Sequence, residues 1–273
     1  MSLLEVRDLR VAFPGRGARA KKVEVLHEVS LHIGRGETLG LVGESGSGKT
    51  TIGRAVLGLV APSGGEIRFE GAAISHLKPR ERRIVAKDIQ VVFQDPYTSL
   101  NPSMTIGDIL AEPLIVQGAT AHDARARVRR LLDQVGLASD AVERLPREFS
   151  GGQRQRVAIA RALAPQPKLI VCDEPVSALD LSTQERVLDL FVEIQRATGV
   201  AYLFISHDLS VVRHISHRVA VLYRGDLVET GSAAQVTSRP EHPYTQRLLL
   251  AAPIADPILQ RQRREDRRRL AAV

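Results

Sequence analysis

Thr38-Leu39-Gly40-Leu41-Val42-Gly43-Glu44-Ser45-Gly46-Ser47-Gly48-Lys49-Thr50 is the stretch around which the chain organises itself. Its first five residues form a short apolar run of the kind a buried strand needs, and Ile52, Val56 and Leu57 follow at helical spacing. Between them, Gly43 to Thr50 fit G-x-x-x-x-G-K-[ST]. Glycines let such a loop curl until successive backbone N–H groups converge on phosphate oxygens, and the helix that follows adds the partial positive charge of its N-terminus. In this pattern Lys49 reaches the β- and γ-phosphates and Thr50 offers a hydroxyl to Mg²⁺. A glycine-rich turn with a surface lysine would also satisfy the string. Strand and helix are both in register here, which favours the phosphate reading.

Outward from this loop, short apolar runs alternate with helical stretches, the pattern of an α/β domain with a largely parallel sheet. Strands are expected at Thr38–Val42, Ile89–Phe93, Leu169–Cys172, Ala201–Ile205 and Val219–Leu222. Their near-continuous apolarity suits burial on both faces. Leu3–Phe13 and Val23–Ile33 alternate instead, as half-exposed antiparallel strands do, with a Gly/Arg/Lys-rich loop from Gly15 to Lys22 between them. Helical spacing joins Val128, Leu131, Leu132 and Val135 in one helix, and Val187, Leu188, Phe191 and Ile194 in another. The segment of about 95–164 has helical signals and no convincing strand, so it is expected to be a helical subdomain inserted into the core. Beyond Gly231, prolines at 240, 243, 253 and 257 break the pattern, and order is expected to be lost there. The resulting division is a domain over 1–235 and a C-terminal extension over 236–273.

The chain has 273 residues, 44% hydrophobic and 25% charged, so disordered and collagen-like classes are excluded. At about 150 residues per domain, the length suits one large domain, or one domain with an appendage. No apolar run approaches the ~18 residues of a membrane span. The opening MSLLEVRDLR has acidic residues and no apolar core, so no signal peptide is expected and the protein is placed in the cytoplasm. A net charge of +7 suggests a polyanionic partner. Six arginines and two acids in the last fifteen residues supply +4 of it, so the basic signal is mostly a tail. Cys172 is the one cysteine, which excludes an intramolecular disulfide and any zinc or iron–sulfur cluster that needs several thiolates.

Leu169 to Glu174 is an apolar strand ending in two acids, and carboxylates at that end of a buried strand face the ligand crevice of an open α/β sheet. Asp173 would hold the magnesium shell, and Glu174 would polarise water for attack on the γ-phosphate. Ser150, Gly151 and Gly152 precede a helix through Val157 and Ile159, which taken alone reads either as a second anion-binding N-terminus or as a glycine loop with an N-cap serine. The ordered set Phe13, GESGSGKT, Gln94, FSGGQ, CDE, SALD and His207 resembles the ATPase subunit of ABC transporters over nearly the whole chain.

That resemblance implies a P-loop NTPase core with an N-terminal antiparallel region. It also implies a head-to-tail pair of subunits in which each ATP is held by the phosphate loop of one and the signature loop of the other. Gly43, Ser45, Gly46, Ser47, Gly48, Lys49, Thr50 and Thr51 would bind ATP in cis, with Phe13 stacking on adenine. Ser150, Gly151, Gly152, Gln153 and Asp180 would act in trans. Thr50, Gln94 and Asp173 would hold Mg²⁺, while Glu174, Gln94 and His207 would serve hydrolysis. Phe13 read simply as core, and His207 as a structural or solvated histidine, are the bland alternatives. Phe149 stands where the family often has Leu, an apolar exchange.

QDPYTSLNP, DEPVSALD and Glu241-His242-Pro243-Tyr244-Thr245-Gln246 are similar to the peptide and nickel importer branch. Such a subunit sits on the cytoplasmic face of the membrane with a second, non-identical ATPase, two transmembrane permeases and an external solute-binding protein. Some relatives carry a C-terminal iron–sulfur centre, which one cysteine cannot support. The other class considered is a soluble ABC-type ATPase acting on nucleic acid or in repair. Its paired domains, long coiled coils or zinc cysteines have no counterpart in this sequence, and no specific nucleic acid is expected as partner.

Overall fold

The computed structural model describes residues 2–15 and 22–251. Most of the basic loop after Phe13 and the arginine-rich tail lie outside these described residues. In chain order the strands and helices are β1 (Ser2–Phe13), β2 (Val23–Gly34), β3 (Thr38–Val42), α1 (Lys49–Val56), β4 (Gly64–Phe69), β5 (Ala72–Ala73), α2 (Pro79–Ala86) and β6 (Ile89–Val92). There follow α3 (Pro96–Ser99), α4 (Ile106–Val116), α5 (Ala121–Gln134), α6 (Gly151–Leu163), β7 (Leu169–Asp173) and α7 (Leu181–Thr198). The chain continues as β8 (Ala201–Ser206), α8 (Leu209–Ile215), β9 (Arg218–Tyr223), β10 (Asp226–Ser232), α9 (Ala233–Ser238) and α10 (Pro243–Ala251). The described residues divide into two compact units, one made of those up to His76 together with Phe204–Ala251, the other of Leu77–Leu203.

In the first unit β1 pairs antiparallel with β2 on one side and β4 on the other, Val6 lying opposite both Leu31 and Ile67. Leu4 and Val6 enter the core at strand spacing, and the register shift between Val6 and Leu9, where Asp8 takes a φ of 46°, changes the phase so that Leu9 and Val11 are buried too. β3 runs parallel to β9, with Gly40 opposite Val219, and β10 closes on β9 antiparallel. Leu39, Leu41, Val42, Ile52 and Val56 are all at most 1% exposed, so both strand β3 and the inner face of α1 are anchored by full burial. Each such side chain contributes ~1.5–3 kcal/mol relative to exposure.

In the second unit β6 and β7 pair parallel, Val91 opposite Val171, and Cys172 is wholly buried, which pushes its thiol pKa up. Residues 95–164 contain helices and 3₁₀ turns and no strand. Helix α5 starts on Thr120, whose hydroxyl accepts from the Asp123 N–H, and buries Val128, Leu131 and Leu132, with Val135 just past its end. Helix α7 buries Val187, Leu188, Phe191 and Ile194 in the same manner. Phe191 meets Tyr202 edge-on at 5.4 Å between centroids, and the Tyr202 hydroxyl donates to the Phe191 carbonyl at 3.2 Å.

One expectation is corrected. Order is not lost between Gly231 and Ala251, where α9 and α10 continue the fold and bury Val236, Tyr244 and Thr245; the rest of that expectation, over 252–273, lies outside the described residues. Pro243 stands at the first position of α10, where proline's fixed φ suits a helix and its missing N–H leaves no bond unmade. Among the described residues no helix is long and apolar enough to cross a membrane.

Candidate nucleotide site

The phosphate loop belongs to the first unit. Gly43 sits so close to β9 that a Cβ there would strike the Leu222 carbonyl oxygen and lie 2.8 Å from Ser47 Oγ, so only glycine fits without displacement. The Gly48 φ of 108° turns the chain into α1, and Ile52 N–H closes the first helical bond on the Gly48 carbonyl at 3.0 Å. Lys49 is 4% exposed, and its ammonium donates to the carbonyls of Gly43 at 2.7 Å and Glu44 at 2.9 Å. The side chain thus arches back over its own loop. Ser47 Oγ is buried without a hydrogen-bond partner among the described residues. A buried hydroxyl normally has a partner. An orphaned hydroxyl beside a buried ammonium and a helix N-terminus fits a phosphate group.

Thr50 and Thr51 are half-buried on the first turn of α1. His207 is exposed immediately after β8, followed by Asp208, which caps α8 by accepting from the Ser210 N–H at 2.7 Å. Phe13 ends β1 opposite Val23 with 40% of its surface exposed, so it is not a core residue. Available ring surface is what stacking requires.

The acid pair and the signature loop belong to the second unit. Asp173 closes β7, half-buried, and Glu174 follows with a left-handed φ of 48°. Gln94, just past β6, donates through Nε2 to Glu174 Oε2 at 3.4 Å and to Ser177 Oγ at 3.2 Å. The Ser177 hydroxyl in turn donates to the Glu174 carbonyl at 3.0 Å. Gln94 and Glu174 are therefore neighbours, bridged by a serine whose part in this cluster the sequence did not reveal.

Ser150 caps α6 reciprocally: its hydroxyl accepts from the Gln153 N–H at 3.3 Å, and Gln153 Oε1 accepts from the Ser150 N–H at 2.9 Å. Gly152 packs so tightly on α7 that a Cβ would run into Thr183 Cγ2, while a Cβ on Gly151 would lie 3.6 Å from Leu179. Asp180 caps α7, accepting from the Thr183 N–H at 3.0 Å and the Ser182 hydroxyl at 2.8 Å. Hydrogen bonds from Thr183 and then Ser182 lower its carboxyl to about 2. The signature loop and the start of α7 thus form one packed edge. Arg154, one turn into α6, donates to the Pro146 carbonyl at 2.7 Å and lies 3.7 Å from the ring centroid of Tyr97, three residues after Gln94. A cation–π contact therefore joins the Gln94 segment to the signature helix.

Thr50 in the first unit, and Gln94 and Asp173 in the second, each carry an oxygen donor, and one of these is a carboxylate. Mg²⁺ favours such hard ligands, usually one or two carboxylates with waters and substrate phosphates. The chemistry of these residues fits it.

A phosphate loop between a buried strand and a helix, with an acid-ended parallel strand, defines a nucleotide-binding α/β cassette. A family profile described as ABC transporter matches residues 26–177, more than half of the chain, and the chain belongs to that family. The glutathione import ATP-binding protein GsiA of Escherichia coli (strain K12) is 52% identical over 267 residues, covering 96% of this chain and 43% of its own length. The chain thus spans less than half of that relative. Among solved structures, the dimeric post-hydrolysis state of the ATP-binding cassette MJ0796 bound to ADP and Pi matches with a TM-score of 0.75 at 29% identity, over 84% of this chain and 98% of that one. The cbiO1 protein of Clostridium perfringens, part of the ABC transporter complex cbiONQ, matches with a TM-score of 0.77 at 26% identity, over 90% and 95%.

Proposed function

We propose that the chain is an ATP-hydrolysing subunit that powers import of short peptides or related small solutes through an ABC transporter. The observation that carries the chemistry is the phosphate loop, where buried Lys49 stands beside a Ser47 hydroxyl that has no partner among the described residues, both ready for an anion. Gly43, Ser45, Gly46, Ser47, Gly48, Lys49, Thr50 and Thr51 cradle the phosphates, and Phe13 stacks on the adenine. Thr50, Gln94 and Asp173 would hold Mg²⁺, which when bound neutralises phosphate charge. Glu174 takes the proton of the attacking water, Gln94 orients that water, and His207 contacts the γ-phosphate. Ser150, Gly151, Gly152, Gln153 and Asp180 serve the nucleotide of a second ATPase subunit, so a complete site needs two chains.

Kinship with GsiA, whose name specifies glutathione import, supports a short-peptide cargo, as does Glu241 to Gln246. The partners are two transmembrane permeases, an external solute-binding protein and a second, non-identical ATPase subunit. The chain works at the cytoplasmic face of the membrane.

Glu174→Gln tests the hydrolytic assignment. It keeps ATP binding and a persistent ATP-bound dimer, while hydrolysis in the assembled transporter falls ~10²–10⁴-fold. Hydrolysis at the parental rate would remove Glu174 from the role of base.

A further inference from the structure

We infer that Tyr244, in the C-terminal His242-Pro243-Tyr244-Thr245 segment, is a positioning residue for the phosphate loop. This rests on the reading of Gly43 to Thr50 as an ATP site. Tyr244 is 3% exposed, and its hydroxyl accepts from the backbone N–H of Glu44 at 2.9 Å. Exactness of that contact is enforced from both sides. Its ring packs on Tyr223 at 4.2 Å between centroids, with the planes tilted 34°. Tyr223 ends β9 beside Leu222, whose carbonyl is the surface that excludes a side chain at Gly43. The next turn adds a second brace, Gly225 N–H donating to the Ser47 carbonyl at 3.0 Å.

The surrounding motif fixes α10 so that the tyrosine cannot drift. Glu229 on β10 accepts from the N–H groups of Glu241 at 2.9 Å and His242 at 3.1 Å. His242 Nδ1 accepts from the Tyr244 N–H at 3.2 Å, and Gln246 Nε2 donates to the Pro240 carbonyl at 3.0 Å. Glu229, His242 and Gln246 thereby hold the start of α10, which carries the phenol that meets the Glu44 peptide. Burial raises the Tyr244 pKa, so the phenol stays neutral at physiological pH. The loop is flexible by composition, with three glycines in Gly43 to Gly48, and an external acceptor on Glu44 restricts the conformations it must lose on binding phosphate.

Tyr244→Phe removes the hydroxyl and keeps the ring. With the full-length chain, calorimetric titration of Mg²⁺ and the β,γ-imido analogue of ATP is expected to show affinity weakened about threefold to tenfold, as loss of one hydrogen bond implies. The melting temperature without nucleotide is expected to fall by no more than the ~1–6 °C that loss of one hydrogen bond implies for a chain of this size. In the assembled transporter KM for ATP rises and kcat at saturation does not fall. Parental affinity in Tyr244→Phe overturns the inference, and so does weakened affinity accompanied by a melting temperature lowered well beyond ~6 °C, which assigns Tyr244 to packing alone. If the unmutated chain itself fails to bind the analogue, the phosphate-loop reading falls instead, and the two failures are told apart by that control.

Discussion

Glu174 offers a stability test of its place in the site. Its φ of 48° lies in the left-handed region, which costs a residue with a Cβ about 1–2 kcal/mol. Glycine escapes that penalty and loses about 0.5–1 kcal/mol through its freer unfolded chain. Glu174→Gly is therefore expected to exceed Glu174→Ala in stability by about 0.5–1 kcal/mol. Both variants lose the 3.4 Å contact from Gln94, so that term cancels between them. At ~2–4 °C per kcal/mol for a chain of this size, the glycine variant melts ~1–4 °C higher, measured by thermal scans of the two proteins side by side. Both are expected to lose hydrolysis for want of the carboxylate. A glycine variant that melts at or below the alanine variant would refute the strained conformation, and with it the view that backbone strain is tolerated here to aim the acid.

Other outcomes follow from the same geometry. Gly152→Ala drives a methyl into Thr183 Cγ2 and should lower stability by ~1–3 kcal/mol in denaturant unfolding; adding Thr183→Ser removes the opposing methyl and should restore most of it. The lowered Asp180 carboxyl, about 2 against an ordinary 3.8, contributes stability above the higher value that is lost as pH falls toward the lower. Asp180→Asn should flatten the dependence of the denaturation midpoint on pH in that window and lower the midpoint near neutrality, where the ionised carboxylate contributes in full. Lys49→Ala should weaken ATP binding at least ~10-fold in titration calorimetry, since charge-assisted bonds to phosphate are lost; retained affinity would reject the assignment.

The elements read most directly from sequence are those whose burial is continuous or strictly periodic. Thr38–Val42 is buried at every position, and Val128, Leu131 and Leu132 mark one stripe of α5, so composition alone announces both. β4 and β10 escaped that reading for opposite reasons. In Gly64–Phe69 only Ile67 and Phe69 are buried behind two glycines that read as a turn, and Asp226–Ser232 has no buried residue to set a period. Helix α10 was hidden by Pro243, a breaker everywhere except the first turn it occupies. Motif spacing located the phosphate loop, the acid pair and the signature cap. The Glu44–Tyr244 bond joins residues two hundred positions apart, and no local pattern encodes such a pairing.

Cys172 has a practical consequence. It is the chain's one thiol, fully buried in β7 with a raised pKa, so thiol-directed reagents meet almost no thiolate in the folded protein. The native sequence is in effect a ready background for single-site labelling. A cysteine introduced at Val116, 81% exposed at the end of α4, would carry a spectroscopic probe alone. Delayed modification of Cys172 itself would then time the opening of the strand that bears the acid pair.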